Sequence, residues 1–209
     1  MTAPRSDRLS KIPSLLLALL LLPAAAAAAP AATSSLELRA ETRGALAPAA
    51  DGPVRVRCSI PPAHRGLVEA LGHVVWSRRL IELAPGICRG ANSLVQAPAA
   101  PYSNASFLQA RALLVSVHES VHLSAYAGRE DEALTECRAI QLVRETALLV
   151  GVDDDTARAL GHEAMRYDAR LPGPGNWMVG LHEIPNYHSP DCHDGGPLDI
   201  HPDSSDWPN

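Results

Sequence analysis

The sequence predicts an α+β fold in which a small layer of strands precedes a helical core. The distribution of proline is the main observation: the chain holds 18 prolines, yet none lies between Pro101 and Pro172. Because proline interrupts helices, a long proline-free block in such a sequence is typical of helical structure. Two short apolar runs, 73–76 and 80–83, precede this block and have the length and composition of strands.

Composition limits the classes of protein to which the chain can belong. Its 209 residues suffice for one domain with a hydrophobic core. Hydrophobic residues make up 46% and charged residues 20%, which is ordinary for a globular protein. The formal net charge of −5 argues against a nucleic-acid partner, because nucleic-acid binders carry a basic face. The composition also excludes collagen, coiled coils and multi-span membrane proteins.

The N-terminal residues have the three-part pattern of a secretory signal peptide. Basic residues up to Lys11 come first, Leu15–Leu22 form an apolar centre, and an alanine run reaches Ala29. We therefore predict a signal peptide over 1–29, a secreted or cell-envelope location, and no stable membrane insertion after cleavage. An uncleaved membrane anchor is the alternative, although prolines interrupt the apolar stretch.

The rest of the chain is predicted to consist of a lead-in, one domain and a tail. Residues 30–52 are rich in alanine, proline, serine and threonine, which favours a flexible lead-in. We expect the domain to cover 53–203 and a disordered tail to cover 204–209.

Four helices are predicted in the domain. Pro61 and Pro62 favour the start of a short helix that ends at Leu71. The proline-free block divides at two glycines that suit C-terminal helix caps, Gly128 and Gly151. Its helices are predicted over 104–127, 131–150 and 155–170.

All four cysteines follow the predicted signal peptide. An even number of cysteines in an exported chain indicates two disulfides. Three pairings are possible, and the sequence does not choose among them. We predict Cys58–Cys88, which would close a loop around the short helix and the strands, and Cys137–Cys192, which would tie the tail to the residue after Glu136. A four-cysteine zinc site is the alternative, but the chain has no Cys-x-x-Cys pair.

The first helix of the proline-free block carries His118-Glu119-Ser120-Val121-His122, an HExxH motif. Residues four positions apart lie on one face of a helix, so both imidazoles can bind one Zn²⁺ ion. Glu119 would act as the catalytic general base towards a water molecule on that ion. Apolar residues surround the motif on nearly every side of the helix, which predicts a buried helix whose polar groups need partners.

Two acidic residues on the next predicted helix compete for the role of third zinc ligand. If the two helices form an antiparallel hairpin about Gly128, Glu136 lies opposite the midpoint of the histidines. Glu136 also begins an apolar stripe at helical spacing. Glu132, one turn earlier on the same face, is the alternative. We expect one Zn²⁺ per chain, bound by His118, His122 and Glu136.

The sequence HESVH, followed on the next helix by DEALTEC, resembles the gluzincin arrangement, in which HExxH supplies two histidines and a downstream helix supplies a glutamate. The gluzincin form NExxSD is absent. The wider pattern resembles small, uncharacterised, exported bacterial proteins predicted to be zincin-like, in which EAxTEC follows HExxH and a late segment ends in GG-x-L-D, here Cys192–Asp199. The resemblance covers roughly 54–203 and implies a zincin-like fold.

These patterns predict a secreted zinc metallopeptidase that hydrolyses peptide bonds in a peptide or protein substrate. We expect the strand at 80–83 to hold an extended peptide by edge pairing. The alternative is a non-catalytic exported domain with a structural zinc and a protein-binding role. A structural zinc has four protein ligands, so a fourth ligand from the C-terminal histidines, such as His188 or His193, would favour that alternative.

Overall fold

The computed structural model describes residues 36–59, 71–125, 131–169 and 187–208. The chain divides into two units, Met1–Ser34 and Ser35–Asn209, and every described residue lies in the second. The signal peptide predicted over 1–29 lies outside the described residues, as does the helix predicted at 61–71 except for its last residue. Within the described ranges, no helix has both the length and the apolar character needed to cross a bilayer.

The described part of the chain contains five α-helices and a three-stranded sheet, which confirms the α+β class. The strands are β1 (Arg55–Cys58), β2 (Gly72–Val75) and β3 (Leu80–Leu83). The helices are α1 (Ala40–Ala45), α2 (Pro85–Gln96), α3 (Asn104–Val121), α4 (Glu132–Val150) and α5 (Asp154–Asp168).

The sheet has the strand order β1-β3-β2, so β3 is the central strand. It pairs in parallel with β1 and antiparallel with β2, where Gly72 lies opposite Leu83. The strands predicted at 73–76 and 80–83 are therefore present, within one residue at each end. The expectation that 80–83 offers a free edge to a peptide is wrong, because both edges of β3 are already paired. The outer strands are β1 and β2.

The proline-free block forms three helices that pack against one another, as predicted. α3 is shorter than expected: it ends at Val121 rather than near residue 127, with His122 as its cap. α4 ends at Gly151, whose φ of 101° favours glycine, as its predicted capping role requires. α2 was not predicted from the sequence, although Pro85 in its first turn is a typical signal of a helix start.

The lead-in predicted to be flexible over 30–52 belongs to the core where the structure describes it. Residues 36–52 include α1, which packs against α2 and α4. Leu38 and Leu46 are buried at the two ends of α1. The physical reason is hydrophobic burial: these leucines add apolar area to a core that has few aromatic residues.

The tail predicted to be disordered over 204–209 also packs on the domain as far as the structure describes it, up to Pro208. Pro208 is buried, and Asp206 accepts a hydrogen bond from Arg158 on α5. The Arg144 guanidinium on α4 lies 3.9 Å from the same carboxylate. These ion pairs and the burial of Pro208 hold the segment against α4 and α5, although its polar composition predicted disorder.

Both predicted disulfides are present. Cys58–Cys88 joins β1 to α2, and Cys137–Cys192 joins α4 to the C-terminal segment 187–208. The Gln141 side chain adds to the second attachment, because its amide donates to the carbonyl of Leu198 at 3.0 Å and accepts from the backbone N–H of Ile200 at 2.8 Å. The C-terminal segment is therefore held against α4.

Leu46→Ala tests whether residues 36–52 belong to the core. Because Leu46 is fully buried, its truncation should lower the free energy of unfolding by about 2–5 kcal/mol. Leu149→Ala on α4 is the matched control: this leucine is 52% exposed, and its truncation should change that free energy by about 0.5 kcal/mol or less. Denaturant titration measures both. Equal losses in the two variants would contradict the core assignment.

Candidate metal centre

The HExxH motif lies at the C-terminal end of α3, within the core. The flanking residues Leu113, Leu114 and Val117 are buried, as the apolar pattern predicted. The motif itself is buried too: the exposed fraction is 6% for His118 and 8% for Glu119. The two histidine rings, one helical turn apart, have centroids separated by 4.8 Å. The motif therefore presents two imidazoles side by side in a largely dry setting.

Side chains from the turn between β2 and β3 hold the end of α3. The Trp76 indole N–H donates to the carbonyl of His122 at 3.3 Å. The Arg79 guanidinium donates to the carbonyl of Leu123 at 3.3 Å and to that of Ala50 at 2.6 Å. A helix end leaves its last carbonyls without intrahelical partners. Trp76 satisfies the carbonyl of the cap residue His122, and Arg79 satisfies that of Leu123, just beyond the cap. The position of the motif relative to the sheet is fixed in this way.

Three ligand atoms converge where α3 meets the first turn of α4. The group comprises His118, His122 and Glu132, whose ligand atoms all lie within 4.8 Å of one another. The Oε2 atom of Glu132 lies 2.9 Å from Nε2 of His118 and 3.3 Å from Nε2 of His122. The two Nε2 atoms are 3.1 Å apart. These residues could hold a metal ion.

Glu136, the preferred third ligand in the sequence analysis, takes a different place in the structure. Its Oε2 atom lies 2.5 Å from Nδ1 of His118, on the side of the ring away from Glu132. Glu132, the alternative, is the carboxylate that faces both Nε2 atoms. The preference for Glu136 thus does not match the geometry.

The reason for this difference is the early end of α3. Glu136 was predicted on the assumption that the turn between the two helices is centred at Gly128. In the structure, α3 ends at Val121 and α4 begins at Glu132. The midpoint between these two ends lies between residues 126 and 127, so the residue opposite the histidines comes earlier in α4. The first turn of α4, capped by Asp131, therefore supplies the ligand atom.

The chemistry of the donor set fits a cation. A neutral imidazole that donates from Nδ1 to Glu136 has no proton on Nε2, so that atom carries a lone pair. That lone pair then faces a carboxylate oxygen at 2.9 Å and a second ring nitrogen at 3.1 Å. Atoms that all carry lone pairs repel at such distances unless a proton or a metal ion lies among them. A carboxylate on the far ring nitrogen is also the usual outer partner of a metal-binding histidine.

The ionisation of the site reflects the same need for positive charge. Burial disfavours the charged form of His118, yet hydrogen bonds to Glu132 and Glu136 outweigh burial and raise its pKa to about 10. Burial likewise opposes ionisation of Glu132, but its hydrogen bonds to the two histidines lower its pKa to about 2. Burial raises the pKa of Glu119 to about 6, against the effect of the nearby histidines. Glu119 is therefore still largely ionised at neutral pH.

Several polar neighbours of the site were not anticipated from sequence. Thr135 lies with its hydroxyl 3.5 Å from Nδ1 of His122, and its place on the helical face shared with Glu132 could have indicated this. The ring of Tyr187 lies 5.8 Å from that of His118, and burial and the nearby glutamates raise the pKa of its phenol. No local sequence signal links Tyr187 to the motif. Tyr187 belongs to the C-terminal segment 187–208, which the disulfide of Cys192 attaches to α4.

The two histidines considered as fourth ligands, His188 and His193, are not part of this group. His188 contacts Asp168, with its Nε2 atom 3.1 Å from the backbone carbonyl and 3.4 Å from the carboxylate. His193 pairs its Nδ1 atom with the carbonyl of Asp194. Over the described residues, the candidate group therefore consists of three ligand residues.

Comparisons with protein-family models, with curated proteins and with solved structures found no match.

Metal titration of single variants should separate ligands from outer partners. His118→Ala and His122→Ala should abolish binding of one metal ion per chain. Glu132→Ala should weaken binding by more than Glu136→Ala, for which the loss of an outer hydrogen-bond partner predicts about a 10–100-fold decrease in affinity. Competition with a chromophoric chelator measures all four. A larger loss for Glu136→Ala than for Glu132→Ala would contradict the assignment.

Proposed function

We propose that this protein is an exported, zincin-like metallopeptidase that uses one Zn²⁺ ion to hydrolyse peptide bonds. The observation that carries the proposal is the group formed by the buried His118 and His122 and the partly buried Glu132, beside the buried Glu119. Two imidazoles and one carboxylate form one of the three-ligand sets used by catalytic zinc sites, which keep a further coordination position open. The HExxH spacing supports the same class.

Zinc is the metal that best suits these ligands. Imidazole nitrogens favour zinc and other late transition metals over magnesium or calcium, which prefer all-oxygen sites. The two imidazoles supply the Nε2 atoms and Glu132 supplies one oxygen. Glu136 would hold the His118 ring in orientation through Nδ1. Bound zinc supplies Lewis acidity, which makes water a stronger nucleophile at neutral pH.

Glu119 is the residue assigned to proton transfer. It adjoins the ligand His118 in the chain, so it lies at the metal group without being one of its ligands. Because burial raises its pKa to about 6, the carboxylate is ionised at neutral pH yet basic enough to accept a proton. In the proposed reaction it takes a proton from the attacking water and passes it to the leaving amine.

An extended peptide is the substrate that the sheet suggests. β2 is an outer strand, and its first residue, Gly72, lies directly against the Glu119 side chain. A peptide added along the outer edge of β2 would gain main-chain hydrogen bonds and pass beside the motif. We therefore assign to β2 the binding of an extended peptide, which was first expected of the strand at 80–83.

A structural zinc in a non-catalytic, protein-binding domain is the alternative function. It requires four protein ligands and no general base. Three ligand residues form the group within the described ranges, and a buried carboxylate at position 119 has no use in a purely structural site. These two observations favour the enzyme.

Glu119→Gln separates the two functions. The glutamine has nearly the same size but cannot accept a proton, so kcat for peptide hydrolysis should fall by about 10²–10⁴-fold. Zinc content should stay at one ion per chain, because the ligand residues are untouched. Turnover of a broad peptide library and metal analysis are measured on the same samples. Glu145→Gln, the same substitution at an exposed position of α4 outside the ligand group, is the control expected to retain activity.

A wild-type protein that binds zinc with four protein ligands and hydrolyses no member of the library would contradict the enzyme. Removal of zinc by a chelator should abolish activity, and readdition of Zn²⁺ should restore it. Activity that persists after complete metal removal would contradict the proposed role of the site.

A further inference from the structure

The first residue of β2 shares its space with the side chain of Glu119. A Cβ atom at position 72 would lie 2.5 Å from Cγ and 2.7 Å from Cδ of Glu119, and closer still to Oε1. Ordinary van der Waals contact begins at about 3.4 Å. All three of the nearest atoms belong to this one side chain. The volume that any other residue would fill at position 72 is therefore occupied by the Glu119 carboxyl group.

The backbone at this position does not itself require glycine. Among the residues that the structure describes, the glycines with positive φ are Gly52, Gly151 and Gly195, and Gly72 is not one of them. Gly72 pairs with Leu83 in an antiparallel ladder, a conformation that residues with side chains adopt freely. The contact with Glu119 is thus the feature that makes glycine necessary here.

Neither backbone is free to relieve a collision. β2 is held by its ladder to β3, and the carbonyl of Leu71 accepts a hydrogen bond from Ala84 at 2.9 Å. The end of α3 is held by hydrogen bonds from Trp76 and Arg79 to its carbonyls. A side chain at position 72 would therefore move the Glu119 side chain rather than the strand or the helix.

We propose that Gly72 is a positioning residue for Glu119: the missing side chain of Gly72 forms the space that holds the Glu119 carboxylate beside the metal ligands. The catalytic part of this role rests on the proposed peptidase function. A methyl group at position 72 would push Cγ of Glu119 by about 0.9 Å, the difference between 2.5 and 3.4 Å. A displacement of about 1 Å of a catalytic group can lower a rate by about 10²-fold.

Gly72→Ala tests the role in the zinc-loaded protein. kcat should fall by about 10²-fold with little change in KM, while zinc content stays at one ion per chain, because position 72 contacts no ligand residue among its nearest atoms. In a Glu119→Ala background, the same substitution should lower kcat no further, because the side chain on which it acts is gone. An additional loss of kcat in that background would overturn the proposal.

Two glycines on α2 provide matched controls. A Cβ atom at Gly90 would lie 2.7 Å from Cβ of Ala112, so Gly90→Ala creates a packing collision that does not involve Glu119. Its thermal stability should fall while kcat remains that of the wild type. A Cβ atom at Gly86 would meet no atom within 4 Å, so Gly86→Ala should leave kcat unchanged without lowering thermal stability, because alanine favours a helix more than glycine does. A loss of kcat in Gly90→Ala equal to that in Gly72→Ala would overturn the positioning role.

Crystal structures give a readout that does not depend on activity. The Glu119 carboxylate should be displaced in Gly72→Ala relative to the wild type, with the three ligand residues unmoved. If the wild type lacks peptidase activity, the proposed function fails, but displacement of Glu119 still supports the positioning role and an unmoved Glu119 overturns it.

If Gly72→Ala does not fold, the double variant Gly72→Ala/Glu119→Ala still tests the contact. Gly72→Ala/Glu119→Ala lacks the colliding atoms, so recovery of its thermal midpoint to that of Glu119→Ala would support the contact. A double variant that also fails to fold would overturn the proposal.

Discussion

Charged groups meet where α3 ends and α4 begins, and their burial is the constraint on which this site depends. Carboxylates there cost free energy unless positive charge lies among them. Burial alone would lower the pKa of His118, but Glu132 and Glu136 on its two sides raise it, so a proton supplies part of that charge. A divalent ion held by the two Nε2 atoms and Glu132 would replace the proton on Nε2 of His118, because a ring nitrogen binds a metal only without its proton, and would supply more positive charge at the same position.

The surrounding fold holds this charged junction from three directions. The turn after β2 donates hydrogen bonds from Trp76 and Arg79 to the end of α3. The N-cap Asp131 begins α4 one residue before its ligand. The Cys137–Cys192 disulfide attaches the C-terminal segment to α4 at the residue after Glu136, which brings the ring of Tyr187 close to His118. The first and third of these attachments join residues that are distant in sequence.

Two glutamates one turn apart on α4 have different roles because a helix end determines which of them faces the histidines. Glu132 lies in the first turn, where it reaches both Nε2 atoms. Glu136 lies deeper, is 3% exposed, and reaches only Nδ1 of His118. Glu132 thus lies where it could hold a metal ion together with the two histidines, and Glu136 lies on the other ring nitrogen of His118, where an outer carboxylate commonly contacts a metal-binding histidine.

Local pattern was enough to predict the α+β class, the strands near 73–83, the three helices of the proline-free block and the proximity of His118 to His122. These features depend on helical periodicity, β-propensity and the conformational limits of proline and glycine, which act between near neighbours in the chain. The two disulfide pairs were also predicted, although four cysteines allow three pairings.

Tertiary structure alone decided the features that depend on distant contacts. Because α3 ends at Val121, Glu132 rather than Glu136 faces the Nε2 atoms of both histidines. Pairing of β3 on both sides left β2 as the strand beside Glu119. A segment rich in alanine and proline became part of the core because α1 packs against α2 and α4, and the flanking Leu38 and Leu46 are buried in the common apolar cluster. Helix length, strand order and burial all follow from the free energy of packing segments far apart in sequence, which no local pattern contains.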